Sequence, residues 1–270
     1  MASQSIVETA PHGVSVGSVF GRSVNVIKAN PVATLGVTFV LIALPQLVIG
    51  LVGGWSVPSQ SLREGSYAVF GIYALIVAML WLVASGALVQ ATVAHDQGRP
   101  ADLREILQLG VQRALPLLAV YLLFVLGVWI GSIFLLVPGI MLAVMWAVCL
   151  PAIVAERPGV FGAFGRSRAL TKGARWHVFG IMLLAFVIYM LVLMAVGLAS
   201  VAGYGTFGAF TRGGQISAPV PTPSLAVALL RSIVTTVMLT WFTTVGASLF
   251  VELRNWKDGP DVDRLADIFA

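Results

Sequence analysis

The chain has 270 residues, 59% of them hydrophobic and 10% charged, with a net charge of +5 and a mean hydropathy of +0.96. A soluble domain carries about 25% charged residues, so this composition excludes an ordinary water-soluble fold. One cysteine, Cys149, offers neither a disulfide framework nor a cysteine metal cluster, and the sixteen basic residues are spread between apolar runs, a pattern that argues against nucleic acid as a partner.

The chain opens with a polar tail, residues 1–12, and the stretch from Met1 to Ser23 holds no continuous apolar core and no cleavage pattern of a signal peptide, so the first span is expected to direct insertion. Residues 13–251 read as a single membrane domain. On a helix of 3.6 residues per turn, Val16, Val19, Phe20, Ser23, Val26 and Ile27 share one face, with Arg22, Asn25 and Lys28 opposite. That pattern predicts a short amphipathic helix in the membrane interface, its basic groups reaching toward headgroups. Long apolar runs then predict spans near Pro31 to Gly54, Tyr67 to Val93, Ala114 to Val137, Gly139 to Ala155, Trp176 to Gly203 and Ser224 to Val251. The expected fold is therefore an all-α polytopic membrane protein with six transmembrane helices and short interfacial helices. Residues 252–270 read as a cytoplasmic tail.

Within the spans, Pro45 is a candidate kink, and Gly127 with Gly131 forms a Gly-x-x-x-Gly that permits close helix contact. Leu135 to Gly139 is expected to be a tight outer turn between two full spans, although a re-entrant hairpin over residues 114–155 satisfies the same charge pattern. The loop from Gly205 to Pro223 is rich in glycine and proline and reads as non-helical.

Phe20-Gly21-Arg22-Ser23 with Lys28 returns as Phe164-Gly165-Arg166-Ser167 with Lys172, at a constant offset of 144 residues. In the second copy Val160, Ala163, Phe164, Ser167, Leu170 and Thr171 oppose Arg166 and Lys172, and Gly173 is placed to end the helix. A fainter third copy starts at Leu103, with Ile106, Leu107 and Leu109 to Val111 ahead of Arg113. The expected plan is a parallel repeat of units, each an interfacial helix followed by a two-span hairpin.

Six crossings put both termini on one side. That side receives thirteen basic residues, namely Arg22, Lys28, Arg99, Arg104, Arg113, Arg157, Arg166, Arg168, Lys172, Arg175, Arg254, Lys257 and Arg264. The other receives two, Arg63 and Arg212, and the positive-inside rule then predicts cytoplasmic termini.

Leu150 to Gly159, followed by Gly165-Arg166-Ser167-Arg168-Ala169-Leu170-Thr171-Lys172-Gly173, resembles the bacterial family named for the membrane domain of glycerophosphoryl diester phosphodiesterase. Val137-Pro138-Gly139 and the tail from Val251 to Asp263 are similar to that family too, so the resemblance covers nearly the whole chain. It implies a bacterial inner-membrane location. It does not extend to phosphodiesterase catalysis, because the His-Arg-Gly motif and metal-binding carboxylates of that domain have no counterpart; His12, His95 and His177 stand in unrelated contexts.

The spans hold no interior carboxylate or histidine, and Glu156, Glu252 and His177 read as interfacial anchors rather than catalysts, so an enzyme, a cofactor or a metal is not expected. Arg22, Lys28, Arg166, Arg168, Lys172 and Arg175, with Trp176 beside them, are the candidates for anionic headgroups. The leading expectation is a non-enzymatic inner-membrane protein that associates with anionic lipids, other membrane proteins or further copies of itself. The alternative is a small-solute transporter or channel using Arg231, Ser232 and Thr235 of the sixth span.

Overall fold

The computed structural model describes residues 14–53, 65–99, 102–203 and 225–259. The elements in chain order are α1 (Val16–Ala29), α2 (Leu44–Gly53), α3 (Tyr67–Asp96), α4 (Leu103–Gln112) and α5 (Ala114–Phe134), then α6 (Leu136–Met145), α7 (Cys149–Ala155), α8 (Val160–Thr171), α9 (Arg175–Gly203) and α10 (Leu225–Asp258). Two π-helical stretches, Val32–Gly36 and Phe39–Ala43, lead into α2, and α6 and α7 together make one crossing. Six helices are long and apolar enough to cross a membrane, and the described residues contain no strand, so the chain is an all-α polytopic membrane protein. The polar tail before Val14, the Gly205 to Pro223 loop, Arg63, Arg212 and Arg264 lie outside the described residues.

Local sequence explains where these helices break. Proline has no N–H, and its ring crowds the carbonyl four residues back. Pro116 and Pro151 accordingly follow the interruptions at Arg113 and at Trp146 to Val148, while Pro45 follows the widened π-helical turns. Pro138 and Gly139 were expected inside a turn. They instead occupy the first turn of α6, where proline is tolerated because those N–H groups lack intrahelical acceptors, and the chain reverses at Leu135 alone, with φ −167° and ψ 146°. The two legs, Ala114–Ile133 and Leu136–Ala155, are 20 residues each, about 30 Å of helix, which is the length of a full crossing.

The hairpin closes on its glycines. A Cβ on Gly127 would stand 2.5 Å from the Trp146 ring, and one on Gly139 would stand 2.0 Å from Ser132 Oγ. Gly127 and Gly131 thus serve contact within the hairpin, Gly131 lying against the Gly139 backbone.

The three expected units are all present. The second crossings, α3, α7 and α10, pack against one another in the middle, while the first crossings, α2, α5 and α9, lie outside them. Each short helix packs chiefly on the second crossing of the preceding unit: α4 on α3, α8 on α7 and, closing the ring, α1 on α10. The buried core, including Leu82, Val89, Val148, Ile153, Leu170, Leu249 and Phe250, fills the half of the bundle beside these short helices. We call this the charged end. Large apolar residues such as Ile72, Leu75, Leu191, Leu198 and Ile233 remain exposed toward the opposite end, as lipid-facing residues should.

The expected buried faces of α1 and α8 hold at Val19, Ser23 and Val26 and at Ala163, Ser167, Leu170 and Thr171, whereas Val16 is 42% exposed. Gly173 follows the end of α8 with φ +92°, a left-handed value that favours glycine. The sixth crossing differs from expectation at its end. Its helix continues to Asp258, and Leu253, expected in a tail starting at residue 252, is fully buried.

Candidate functional site at the charged end

Arg22 and Arg166 are the repeated arginines, and both turn inward. Arg22 pairs with Asp96, at the end of α3, and with Glu252 Oε2 near the end of α10 at 3.1 Å. Ser18 Oγ donates to Glu252 Oε1 at 2.6 Å, and Arg254 approaches Asp96 at 3.5 Å. Arg166 Nε donates to Glu156 Oε2 at 2.5 Å, its Nη2 to Glu156 Oε1 at 2.7 Å, and the same guanidinium pairs with Asp258. In each copy the arginine joins the end of its own hairpin to the end of the preceding one. The hydrogen bond that Arg166 donates to Glu156, then that to Asp258, raise the Arg166 pKa above the ordinary arginine value, so its charge is fixed.

The neighbouring residues of the motif repeat their roles only in part. Phe20 meets Trp241 with ring centroids 5.5 Å apart, and Phe164 meets Trp146 at 5.0 Å. Ser23 donates to Phe20 O in its own helix, whereas Ser167 reaches the broken fourth crossing, accepting from Val148 N at 3.3 Å and donating to Met145 O at 3.0 Å. A buried helix break leaves backbone groups without partners, and Ser167 supplies them.

With these arginines committed to carboxylates, the headgroup candidates divide. Lys28, Arg168 and Lys172 are exposed, while Arg175 is half-buried. Phe161, Gly165, Arg168 and Lys172 follow one another at helical spacing along the outward side of α8 and its cap, and all four are exposed. Phe161 is 81% exposed, and Trp176, which opens α9 against Phe179 at 6.2 Å, is 83% exposed. The corresponding side of α1 carries Gly17, Gly21, Val24 and Lys28, so the aromatic and the extra arginine belong to the second copy alone. Lys257 lies over the Trp256 ring, 4.4 Å from its centroid.

The transport candidates do not gather in one place. Arg231 is exposed, Thr235 half-buried and Ser232 buried. Ser232 begins a series missed in the sequence: Ser232, Thr236, Thr240, Thr244 and Ser248, all buried at four-residue spacing along α10 and followed by Glu252. Thr236 and Thr244 donate to carbonyls of their own helix, and Thr240 Oγ1 donates to Thr38 Oγ1 at 2.8 Å across to the first crossing. Hydroxyls bonded in this way permit close, dry packing between helices. The Ser85 and Ser248 hydroxyls are buried with no partner among the described residues.

Glu156 and Glu252 each engage an arginine, and His177 is exposed. Among the described residues no three His, Cys, Asp or Glu side chains are grouped to hold a metal. Neither a known family nor a curated protein nor a solved structure matches the chain.

Proposed function

We propose that this chain is a non-enzymatic scaffold of the bacterial cytoplasmic membrane that binds anionic lipid at its charged end, with both termini cytoplasmic. The observation that supports it is the outward side of α8, where exposed Arg168 and Lys172 lie in line with Phe161 and beside Trp176. Aromatic rings favour the headgroup level of a membrane, and cations next to them attract anionic lipid. The resemblance to the membrane-domain family belongs to the same proposal, as do neighbouring membrane proteins or further copies on the exposed apolar flanks. A transport role has less support, because Arg231 is exposed and the hydroxyls that neighbour it inside the bundle are largely bonded within the protein.

The test is thermal unfolding of the detergent-solubilised protein with added phosphatidylglycerol or phosphatidylcholine. Phosphatidylglycerol is expected to raise the midpoint further. Each cation near an anionic surface contributes about 1 kcal/mol, so Arg168→Gln with Lys172→Gln should weaken the effect by about 2 kcal/mol, roughly thirtyfold in affinity. Equal stabilisation by the two lipids would contradict the proposal.

A further inference from the structure

Arg175, Phe179, Met182 and Phe186 succeed one another on one face of α9, at spacings of four, three and four residues. The last three line one wall of a crevice of about 260 Å³, open on its lipid-facing side, whose other wall includes Phe124, Ala143 and Phe242. Its lining side chains are all apolar. From Arg175 to Phe186 the helix rises about 16 Å, about half of the ~30 Å hydrocarbon thickness and thus the depth of one leaflet. At the head of this face stands the half-buried Arg175, whose Nε is buried and has no hydrogen-bond partner among the described residues. The planar guanidinium fork matches carboxylate and phosphate oxygens, and the part of the Arg175 side chain that remains accessible is where such an anion would bind.

The geometry points to a built site for one anionic glycerophospholipid, its phosphate on Arg175 and one acyl chain in the crevice. This deepens the proposed lipid-binding function and rests on it. Charge complementarity selects the occupant: exposed Arg168 and Lys172 lie just upstream of Arg175, and Trp176 stands at the level where the glycerol would sit. An apolar helix of a second copy would fill the crevice but bring no anion to Arg175. The flat α8 surface attracts anionic lipid in general. The crevice adds a single stoichiometric position that holds on to its occupant.

Native mass spectrometry of the full chain released from detergent, with phosphatidylglycerol or phosphatidylcholine added at equal concentration, separates the outcomes. One retained phosphatidylglycerol is expected, with occupancy reduced about tenfold by Arg175→Gln, less reduced by Arg175→Lys, and reduced by Ala143→Phe, which fills the crevice from a half-exposed position. Unchanged unfolding midpoints of the lipid-free variants verify that they fold. If the native chain shows no preference between the lipids, the lipid-binding function itself fails. If the preference is present but unaffected by Arg175→Gln or by Ala143→Phe, the scaffold reading stands and this site is overturned. A lipid-free dimer that Ala143→Phe abolishes would give the crevice to a second copy and also overturn it.

Discussion

Arg22 and Lys28, with their counterparts Arg166 and Lys172, show how one repeated motif divides its charges. The arginines fasten hairpin ends together, and the lysines stay exposed. The side chains in the Arg166 cluster are 23% to 45% exposed, between the surface limit of about 0–1 kcal/mol for an ion pair and the 3–5 kcal/mol lost on breaking a buried one. Arg166→Gln should therefore destabilise the protein by about 1–3 kcal/mol in detergent unfolding, whereas Arg168→Gln should change the lipid-free protein little. Because the folded pKa of Arg166 is raised, its contribution is fully present below its unfolded pKa and lost only as pH rises through the higher folded value. Stability measured between pH 6 and 8 should show no titration from this residue, and a midpoint that tracks it there would contradict the assignment. The sequence placed both arginines opposite the apolar faces but gave no sign of their partners. The acids lie 74 and 230 residues from Arg22 and 10 and 92 from Arg166, separations at which helical periodicity carries no information.

At the scale of the elements, the spans were legible because a crossing demands about 20 apolar residues whatever its neighbours. The structure departs from these expectations where packing governs. The sequence places a turn at Pro138-Gly139, yet Gly139 is inside a helix because its bare Cα allows α6 to approach Ser132 of α5. Gly139→Ala should separate the legs of this hairpin and cost about 1–3 kcal/mol, in the range of overpacked cores, and an unchanged unfolding midpoint would refute that role. The hydroxyl series along α10 was obscured by its placement on a helix that carries other polar residues, and only burial isolates it. Thr240→Val should cost about 0.6 kcal/mol, the usual size of a hydrogen bond between membrane helices, and pairing it with Thr38→Val should be less than additive because both changes remove the same bond.

At the scale of the whole molecule, three hairpin units close into a ring with their short helices at one end, and most of the basic residues collect there. Two of the units were legible through Phe-Gly-Arg-Ser. The third was faint because α4 keeps the packing side of the repeat, with Ile106 and Gly110 buried, but carries no arginine within it that joins hairpin ends among the described pairs. Phe161, Arg168, Lys172 and Trp176 are exposed at this end, and in the proposed function they are the groups that meet the headgroups. The most direct test is the selectivity of the lipid shell around the reconstituted protein, measured with spin-labelled phosphatidylglycerol and phosphatidylcholine in nanodiscs at low and high salt. A preference for phosphatidylglycerol is expected that falls as salt rises and drops sharply in the Arg168→Gln, Lys172→Gln variant. Equal association of both lipids, unaffected by salt and by the substitutions, would contradict it.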